Sequence, residues 1–134
     1  MPRFGGTSQQ RLQTCDAQLQ IVMREVVAFA DCTIVEGHRS EQRQDMLFMT
    51  GKSKVVWPDG KHNTSPSKAV DVAPYVDGKI SWDVRHCCYL AGCIMGTARV
   101  LGVKLRWGGN WDQDQEIITD QQFQDLVHYE LVER

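Results

Sequence analysis

The sequence predicts an α+β fold in which a small, mainly antiparallel sheet packs against helices. Two observations predict it. Apolar residues recur at helical spacing near the N-terminus and along one long segment in the second half of the chain. Short runs rich in β-branched residues, bounded by Gly and Pro, are spread through the rest. The 134 residues suit one domain with its own core, so we expect a single domain over residues 1–134.

The N-terminal third predicts two helices and a strand. Thr7 or Ser8 is a suitable cap for a short first helix, and Asp16 for a second one. Helical spacing gives the second helix a predicted core face made of Leu19, Val22, Val26, Phe29 and Ala30. Residues 32–35 are rich in β-branched side chains and Gly37 follows them, which indicates a strand and its exit.

The middle of the chain predicts a helix, a loop and a strand. Residues 40–50 read as a helix, with Gly51 as its end. Residues 55–66 contain Pro, Gly, Asn and Ser and predict a loop. Residues 68–73 form a short apolar run, so we expect a strand that ends at Pro74.

The remaining elements follow the same rules. Residues 79–80 follow an Asp-Gly pair and predict one side of a hairpin. The longest helical pattern covers 81–101 and stops at a glycine. Residues 103–107 predict a strand, 120–125 one helical turn, and 128–132 a last strand.

Composition narrows the class of protein. The formal net charge of −2 argues against nucleic acid as a partner, because nucleic-acid binders are usually basic. The longest apolar stretch, 89–103, contains Arg99 and is too short to span a bilayer, so no membrane partner is expected. Residues 1–6 lack the apolar core of a signal peptide. An odd number of cysteines, five, without regular spacing indicates free thiols in a reducing cytoplasm. We expect a monomer.

Three residues have the character of metal ligands. His62 lies in the polar loop, Asp71 lies inside the apolar strand 68–73, and His128 opens the last predicted strand. A carboxylate in such a strand is costly to bury unless it is paired or bound to a cation. Two imidazoles and one carboxylate can form a three-ligand zinc site with a fourth position open to water, which is typical of a catalytic zinc. By spacing alone, the alternative is ordinary core or surface histidines and an aspartate that is bonded to backbone amides.

Six segments in order resemble a known family. They are 36–40 (EGHRS), 61–63 (KHN), 68–75 (KAVDVAPY), 78–82 (GKISW), 106–111 (RWGGNW) and 125–131 (DLVHYEL). Over nearly the whole chain, this series is similar to the phage-type L-alanyl-D-glutamate endopeptidases, the endolysin branch of the zinc D-Ala-D-Ala carboxypeptidase family.

The resemblance implies the hedgehog/DD-peptidase fold and one Zn²⁺ on His62, Asp71 and His128. It implies hydrolysis of the L-Ala–D-Glu bond in the stem peptide of peptidoglycan. It further implies a phage lysis enzyme that is made in the host cytoplasm and acts on the cell wall after release. Two departures occur: Gly60 stands where the family usually has a serine, and residues 65–67 make the gap from the first ligand to the aspartate two residues longer. A loop absorbs such an insertion at little entropic cost.

The general base has two candidates. In the family an acidic residue three positions before the last histidine activates the water, and here that residue is Asp125. Residues three apart on a straight strand point to opposite faces, so the chain must turn between Asp125 and His128. Glu130 is the rival, because it shares a strand face with His128 and can be the base or orient the imidazole. We favour Asp125 as the base and Glu130 as the supporting residue.

Substrate contacts are expected from Arg39 and two tryptophans. The resemblance places Arg39 at the substrate carbonyl or carboxylate near the zinc, and a guanidinium suits both tasks because it stays charged and binds carboxylates bidentately. An ion pair of Arg39 with Glu36 or Glu41 is the alternative. Trp107 and Trp111 flank a Gly-Gly pair at which a peptide can approach bare backbone. The remaining tryptophan of the motifs, Trp82, is expected in the core.

Two further groups of residues are weaker candidates for metal binding. His86, Cys87, Cys88 and Cys93 are close in sequence but fall in one helical pattern, where adjacent thiols cannot face one point, so core packing is favoured. Residues 112–116 (DQDQE) alternate carboxylates as calcium loops do but lack the glycine and spacing of an EF-hand. Ca²⁺ there is a weaker hypothesis than zinc.

Two competing functions fit the same residues. One is a D-Ala-D-Ala carboxypeptidase or dipeptidase with the same metal site. The other is a non-catalytic module that binds the cell wall on the same fold. The products released from cell walls distinguish the three functions.

Overall fold

The predicted α+β class is confirmed in a computed structural model, which describes residues 2–114, 117 and 125–132. The helices are α1 (Gly6–Gln13), α2 (Ala17–Val27), α3 (Glu41–Met49) and α4 (Val84–Leu101), with a 3₁₀ turn η1 at Lys61–Asn63. The strands are β1 (Cys32–Glu36), β2 (Ala69–Val76), β3 (Lys79–Ile80), β4 (Leu105–Gly108) and β5 (Asp125–Leu131).

Strand β2 lies at the centre of an antiparallel sheet. The strand order is β1-β2-β5-β4, and β3 extends β2 as a short hairpin. Antiparallel pairing relates β1 to β2, β2 to β5, and β5 to β4. The core side chains come from α1, α2 and α4 together with alternate residues of the sheet, so the helices cover one face of it.

Helix ends follow local chemistry, with one exception. The Asp16 carboxylate accepts a hydrogen bond from the Gln18 amide and begins α2, while α4 ends at Gly102, whose φ of +75° suits glycine. The prediction that Thr7 or Ser8 caps the first helix is wrong, since α1 has Gly5 at that position. Ser8 is buried instead and its hydroxyl accepts a hydrogen bond from the Ile34 amide, which ties α1 to β1.

Other predictions need correction. Phe29 is 59 % exposed because α2 ends at Val27 and the following turn points it outward. Trp82 is 60 % exposed because it precedes the first residue of α4. Strand β2 continues through Pro74, whose carbonyl still accepts a hydrogen bond from the Ser81 amide. The predicted turn at 120–125 falls mostly on 120–124, outside the described residues, and its last residue begins β5.

Two irregularities interrupt the sheet next to the same stretch of β2. On one side, Ile34 of β1 lies opposite Val72 and Glu36 lies opposite Asp71, so one residue of β1 is extra. On the other flank of β2, Trp107 of β4 lies opposite Tyr129 of β5, but its neighbour Gly108 lies opposite Asp125. The intervening residues of β5, 126–128, therefore bulge, and such bulges re-aim side chains.

No helix among the described residues is long and apolar enough to cross a membrane.

The bulge in β5 depends on a glycine at position 108. A Cβ added to Gly108 would lie 1.9 Å from the Asp125 carbonyl oxygen, whereas one added to Gly96, in α4, meets nothing within 4 Å. We expect Gly108→Ala to lower the free energy of unfolding by about 2 kcal/mol or more, because the backbone must move. The matched Gly96→Ala change should raise it by roughly 0.5–1 kcal/mol, since alanine favours a helix. Urea unfolding measures both, and equal effects would contradict this account.

Candidate metal centre

A cluster of three side chains joins β2, β5 and η1. Asp71 on β2 lies directly opposite His128 on β5, and η1 brings His62 to the same point. Asp71 Oδ1 is 3.0 Å from His62 Nε2 and 3.3 Å from His128 Nδ1. One donor atom from each residue lies within 4.8 Å of the other two, which is close enough for one metal ion to bind all three. The sequence-predicted ligands are thus brought together.

The two imidazole rings are oriented by their other nitrogens. His62 Nδ1 donates to the Gly37 carbonyl oxygen at 2.7 Å, since a carbonyl can only accept. His128 Nε2 donates to Glu130 Oε1 at 2.8 Å. When a ring is neutral, these bonds leave its lone pair on the nitrogen that faces Asp71, which is Nε2 of His62 or Nδ1 of His128. Such outer contacts are typical of histidines that bind a metal.

The loop between the first histidine and the aspartate accommodates its extra residues by folding back. The Lys68 amide donates to the Lys61 carbonyl at 2.9 Å, which closes the loop next to His62. Thr64 bridges the closed loop, because its hydroxyl donates to the Pro66 carbonyl. Gly60 also fits locally, since a Cβ there would lie 2.7 Å from Asn63 Oδ1, which accepts a hydrogen bond from the Gly60 amide.

Opposite charges stabilise the cluster in the absence of a metal. Burial disfavours the charged form of Asp71, but hydrogen bonds from His128 and His62 outweigh it and hold the pKa of Asp71 well below its usual range. Burial also opposes the charge of His128, yet Asp71 and Glu130 raise the pKa of His128 to about 9. Burial likewise opposes the charge of Glu130, and its bonds to His128 and Arg106 lower its pKa to about 2.

Arg39 lies at the edge of this cluster, and neighbouring side chains hold its guanidinium in place. Its Nη2 is 2.7 Å from Glu36 Oε1 and 3.7 Å from Asp71 Oδ2. Its Nη1 donates to Gln44 Oε1 at 3.1 Å, and its backbone amide donates to the His62 carbonyl. Arg39 is therefore ion-paired with Glu36 and also adjacent to the candidate metal ligands, and its contact with the substrate stays a prediction.

Gln44 supports Arg39 and is not among the residues predicted from the sequence. Gln44 is 1 % exposed, and its amide uses all four hydrogen-bonding positions. It accepts from Arg39 and from Asn63 Nδ2, and it donates to Ser53 Oγ and the Val55 carbonyl. A glutamine in a polar helix carries no pattern that marks it as buried, whereas the position of Asn63 beside His62 was a usable signal.

Asp125 lies close enough to the cluster for its carboxyl group to interact with the charges of Asp71, His128 and His62. The bulge supplies the turn that Asp125 and His128 need in order to approach one point. Trp107 fixes the bulge, since its indole N–H donates to the Leu126 carbonyl at 2.9 Å. Burial raises the pKa of Asp125, as does the negative charge of nearby Asp71, while His128 and His62 lower it. A carboxyl group with a raised pKa beside such a cluster suits proton transfer.

The two tryptophans occupy different environments. Trp107 is 4 % exposed and belongs to the core, with its ring packed over Gly109, so the structure places it behind the site instead of on a substrate groove. Trp111 does lie at the site, with its ring centroid 5.5 Å from that of His128.

The other metal candidates stay apart from this cluster. All five cysteines are free thiols; Cys87 is buried, and Cys88 and Cys93 pack against the core. Within the part of the chain that the structure describes, no other group of three His, Cys, Asp or Glu donors converges. Of the run 112–116, Asp112 and Asp114 are exposed and the last two residues lie outside the described residues, so calcium binding stays a prediction.

Both the sequence and the fold are similar to those of known proteins. The profile of a family described as phage L-alanyl-D-glutamate peptidase matches residues 1–132. The chain is 33 % identical over 114 residues to the L-alanyl-D-glutamate peptidase of Escherichia phage T5, which covers 82 % of each chain. Its fold is similar to the crystal structure of the Serratia marcescens L-Ala D-Glu endopeptidase ChiX, with a TM-score of 0.80, 26 % identity, and coverage of 97 % of this chain and 90 % of that chain.

The raised pKa of His128 predicts how the metal-free protein responds to pH. The folded state holds this proton up to about pH 9, whereas an unfolded histidine loses it near pH 6.5. The folded state therefore binds more protons in this interval, and the free energy of unfolding should fall as the pH rises through it. Asp71 and Glu130 stay ionised in both states and add no slope there. Urea unfolding in the presence of a chelator measures the effect.

The control for this pH dependence is the variant His128→Gln. Its free energy of unfolding should be nearly independent of pH between about 6.5 and 8.5. Burial raises the pKa values of the Cys15 and Cys32 thiols to about 11 and about 12. Above that interval, these thiols therefore lower the free energy of unfolding further in both proteins. The same slope in the variant and in the parent protein below pH 8.5 would contradict the assignment to His128.

Proposed function

The chain belongs to the phage L-alanyl-D-glutamate peptidase family, and from this premise we propose that His62, Asp71 and His128 hold one zinc ion in its active centre. The protein is a peptidoglycan hydrolase that cleaves the L-Ala–D-Glu bond of the stem peptide, and it acts on the bacterial cell wall. The convergence of the three donor atoms within 4.8 Å is the observation that carries the zinc proposal.

The donor set fits zinc. Two neutral imidazoles and one carboxylate are the ligands of many catalytic zinc sites, in which a fourth position stays open. The hydrogen bonds from His62 to Gly37 and from His128 to Glu130 leave the correct nitrogens free. When bound, zinc supplies a Lewis acid that polarises a carbonyl group and lowers the pKa of a water molecule to near neutrality.

Asp125 is proposed as the general base. Its carboxylate accepts a proton from the water that attacks the carbonyl carbon of L-Ala. It then returns this proton to the amine of D-Glu as the peptide bond breaks. Burial and the nearby charge of Asp71 raise the pKa of Asp125, which brings its proton affinity closer to that needed for both transfers. Glu130 is unsuited to this role, because His128 and Arg106 already bind its two oxygens.

Arg39 is proposed to stabilise the charge that develops on the L-Ala carbonyl oxygen. Its guanidinium is fixed by Glu36 and Gln44, so it needs little reorganisation during the reaction. Trp111, which is partly exposed beside His128, is proposed as a wall of the substrate groove.

The proposal is tested by digestion of purified sacculi, with mass spectrometry of the released fragments. A zinc-loaded sample, a chelated sample and a chelated sample with zinc restored are compared. Release of peptides that begin at D-Glu, lost with the chelator and regained with zinc, is the expected result. Peptides that begin at L-Ala would indicate an amidase, and loss of terminal D-Ala alone a carboxypeptidase. Zinc binding without any release would favour a binding module.

Substitution separates the base from the supporting carboxylate. We expect Asp125→Asn to lower kcat by about 10²–10⁴-fold while zinc remains bound, because a proton acceptor is removed. Glu130→Gln should instead weaken zinc binding by roughly 10–100-fold, because it loosens His128. Both are measured by steady-state hydrolysis of muropeptides and by zinc titration. A large loss of kcat in fully zinc-loaded Glu130→Gln, with Asp125→Asn active, would reverse the two roles.

Zinc affinity should already fall below about pH 9, where metal-free His128 gains its proton, and activity should decline below about pH 6, where protons also compete for an ordinary histidine. Zinc content and hydrolysis are measured on the same samples between pH 5 and 8. Excess zinc should restore part of the activity at the lower pH, since it shifts the competition. Full activity at pH 5 with zinc retained would contradict this prediction.

A further inference from the structure

Arg106 on β4 contacts two neighbours of His128, although it does not touch His128 itself. We propose that Arg106 is a positioning residue, which holds His128 in the orientation needed for metal binding by fixing Glu130 and Trp111. The inference rests on the proposed zinc site and extends it to a residue outside the ligand set.

The first contact is a cross-strand ion pair. Arg106 and Glu130 lie directly opposite each other in the β4–β5 register, and Arg106 Nη2 donates to Glu130 Oε2 at 2.8 Å. The other oxygen, Oε1, accepts the hydrogen bond from His128 Nε2 at 2.8 Å. The two oxygens of Glu130 therefore have separate partners, and the guanidinium sets the rotation that turns Oε1 toward the imidazole.

Lys61 is a weaker second partner of the same oxygen. Its Nζ is 3.4 Å from Glu130 Oε2 and donates a hydrogen bond to the Leu131 carbonyl. An ammonium on a flexible chain fixes direction less well than a planar guanidinium. The Glu130 side chain is only 9 % exposed, so without Arg106 it is a poorly compensated buried charge. We expect it to turn toward water and away from His128.

The second contact is with Trp111. The guanidinium carbon of Arg106 is 5.3 Å from the Trp111 ring centroid, within the range of a cation–π interaction. The Trp111 ring is in turn 5.5 Å from the ring of His128. Arg106 thus supports the imidazole at its Nε2 through Glu130 and along its ring through Trp111.

The test measures zinc affinity and catalysis in a set of full-length variants. The set is Arg106→Ala, Arg106→Lys, Glu130→Gln and the double variant Arg106→Ala/Glu130→Gln. Zinc affinity is obtained by competition with a chromophoric chelator, and kcat/KM on muropeptides is measured with the metal saturating. The thermal midpoint of each metal-free variant reports its folding separately.

We expect Arg106→Ala to weaken zinc binding by about 10–100-fold, as loss of a partner behind a ligand does in other metal sites. Arg106→Lys should recover part of this loss, since it retains the charge. In the Glu130→Gln background, Arg106→Ala should add less than about threefold, because the route through Glu130 is already broken. Arg85→Ala is the matched control, since Arg85 is exposed and pairs with Asp83 at the start of α4, and it should bind zinc like the parent protein.

Three outcomes would overturn the inference. One is unchanged zinc affinity in folded Arg106→Ala, even if its thermal midpoint falls, which is the behaviour of a purely structural residue. Another is an undiminished effect of Arg106→Ala in the Glu130→Gln background. If Arg106→Ala does not fold, Arg106→Gln takes its place under the same criteria. Absence of zinc binding by the parent protein would overturn the zinc proposal itself, and this inference with it.

Discussion

The structure depends on a buried carboxylate in the central strand. Asp71 is 8 % exposed and lies on β2 between core residues, where an unpaired charge would cost several kcal/mol. Three groups compensate it: His62 at 3.0 Å, His128 at 3.3 Å and Arg39 at 3.7 Å. They come from η1, from β5 and from the turn after β1, so satisfying one side chain requires three separate segments to meet at the middle of the sheet.

The three segments can meet because strand pairing is irregular on both sides of β2. The irregularity in β1 precedes the turn that carries Arg39, and the bulge in β5 brings Asp125 beside His128. Each break is supported by buried contacts. Gly37 has no room for a Cβ beside the Arg11 carbonyl, and Gly108 has none beside the Asp125 carbonyl. Close packing around each break in strand pairing therefore compensates for the irregular hydrogen bonding.

Stability and metal binding use the same groups in opposite ways. In the metal-free protein the proton on His128 compensates Asp71 and Glu130, and this ion-paired cluster holds β5 to β2. A metal ion held by this cluster would need the lone pair of His128 Nδ1, so its binding would release that proton and replace the positive charge. The cations Arg106 and Lys61 pair with Glu130 in either case. They keep Glu130 in place when the charge next to Asp71 changes from that of a proton to that of a metal ion.

The sequence alone determined the fold class, most element positions and the candidate ligands. Apolar periodicity, caps and turn residues are local properties, and the six ordered segments carry the resemblance to the family by themselves. The sequence did not reveal that Trp107 is core, that Trp82 is exposed, or that Gln44 and Arg106 support the site. Those facts depend on strand register and on contacts between residues far apart in the chain. Only the tertiary structure decides them, because a one-residue change of register turns every side chain of a strand to the opposite face.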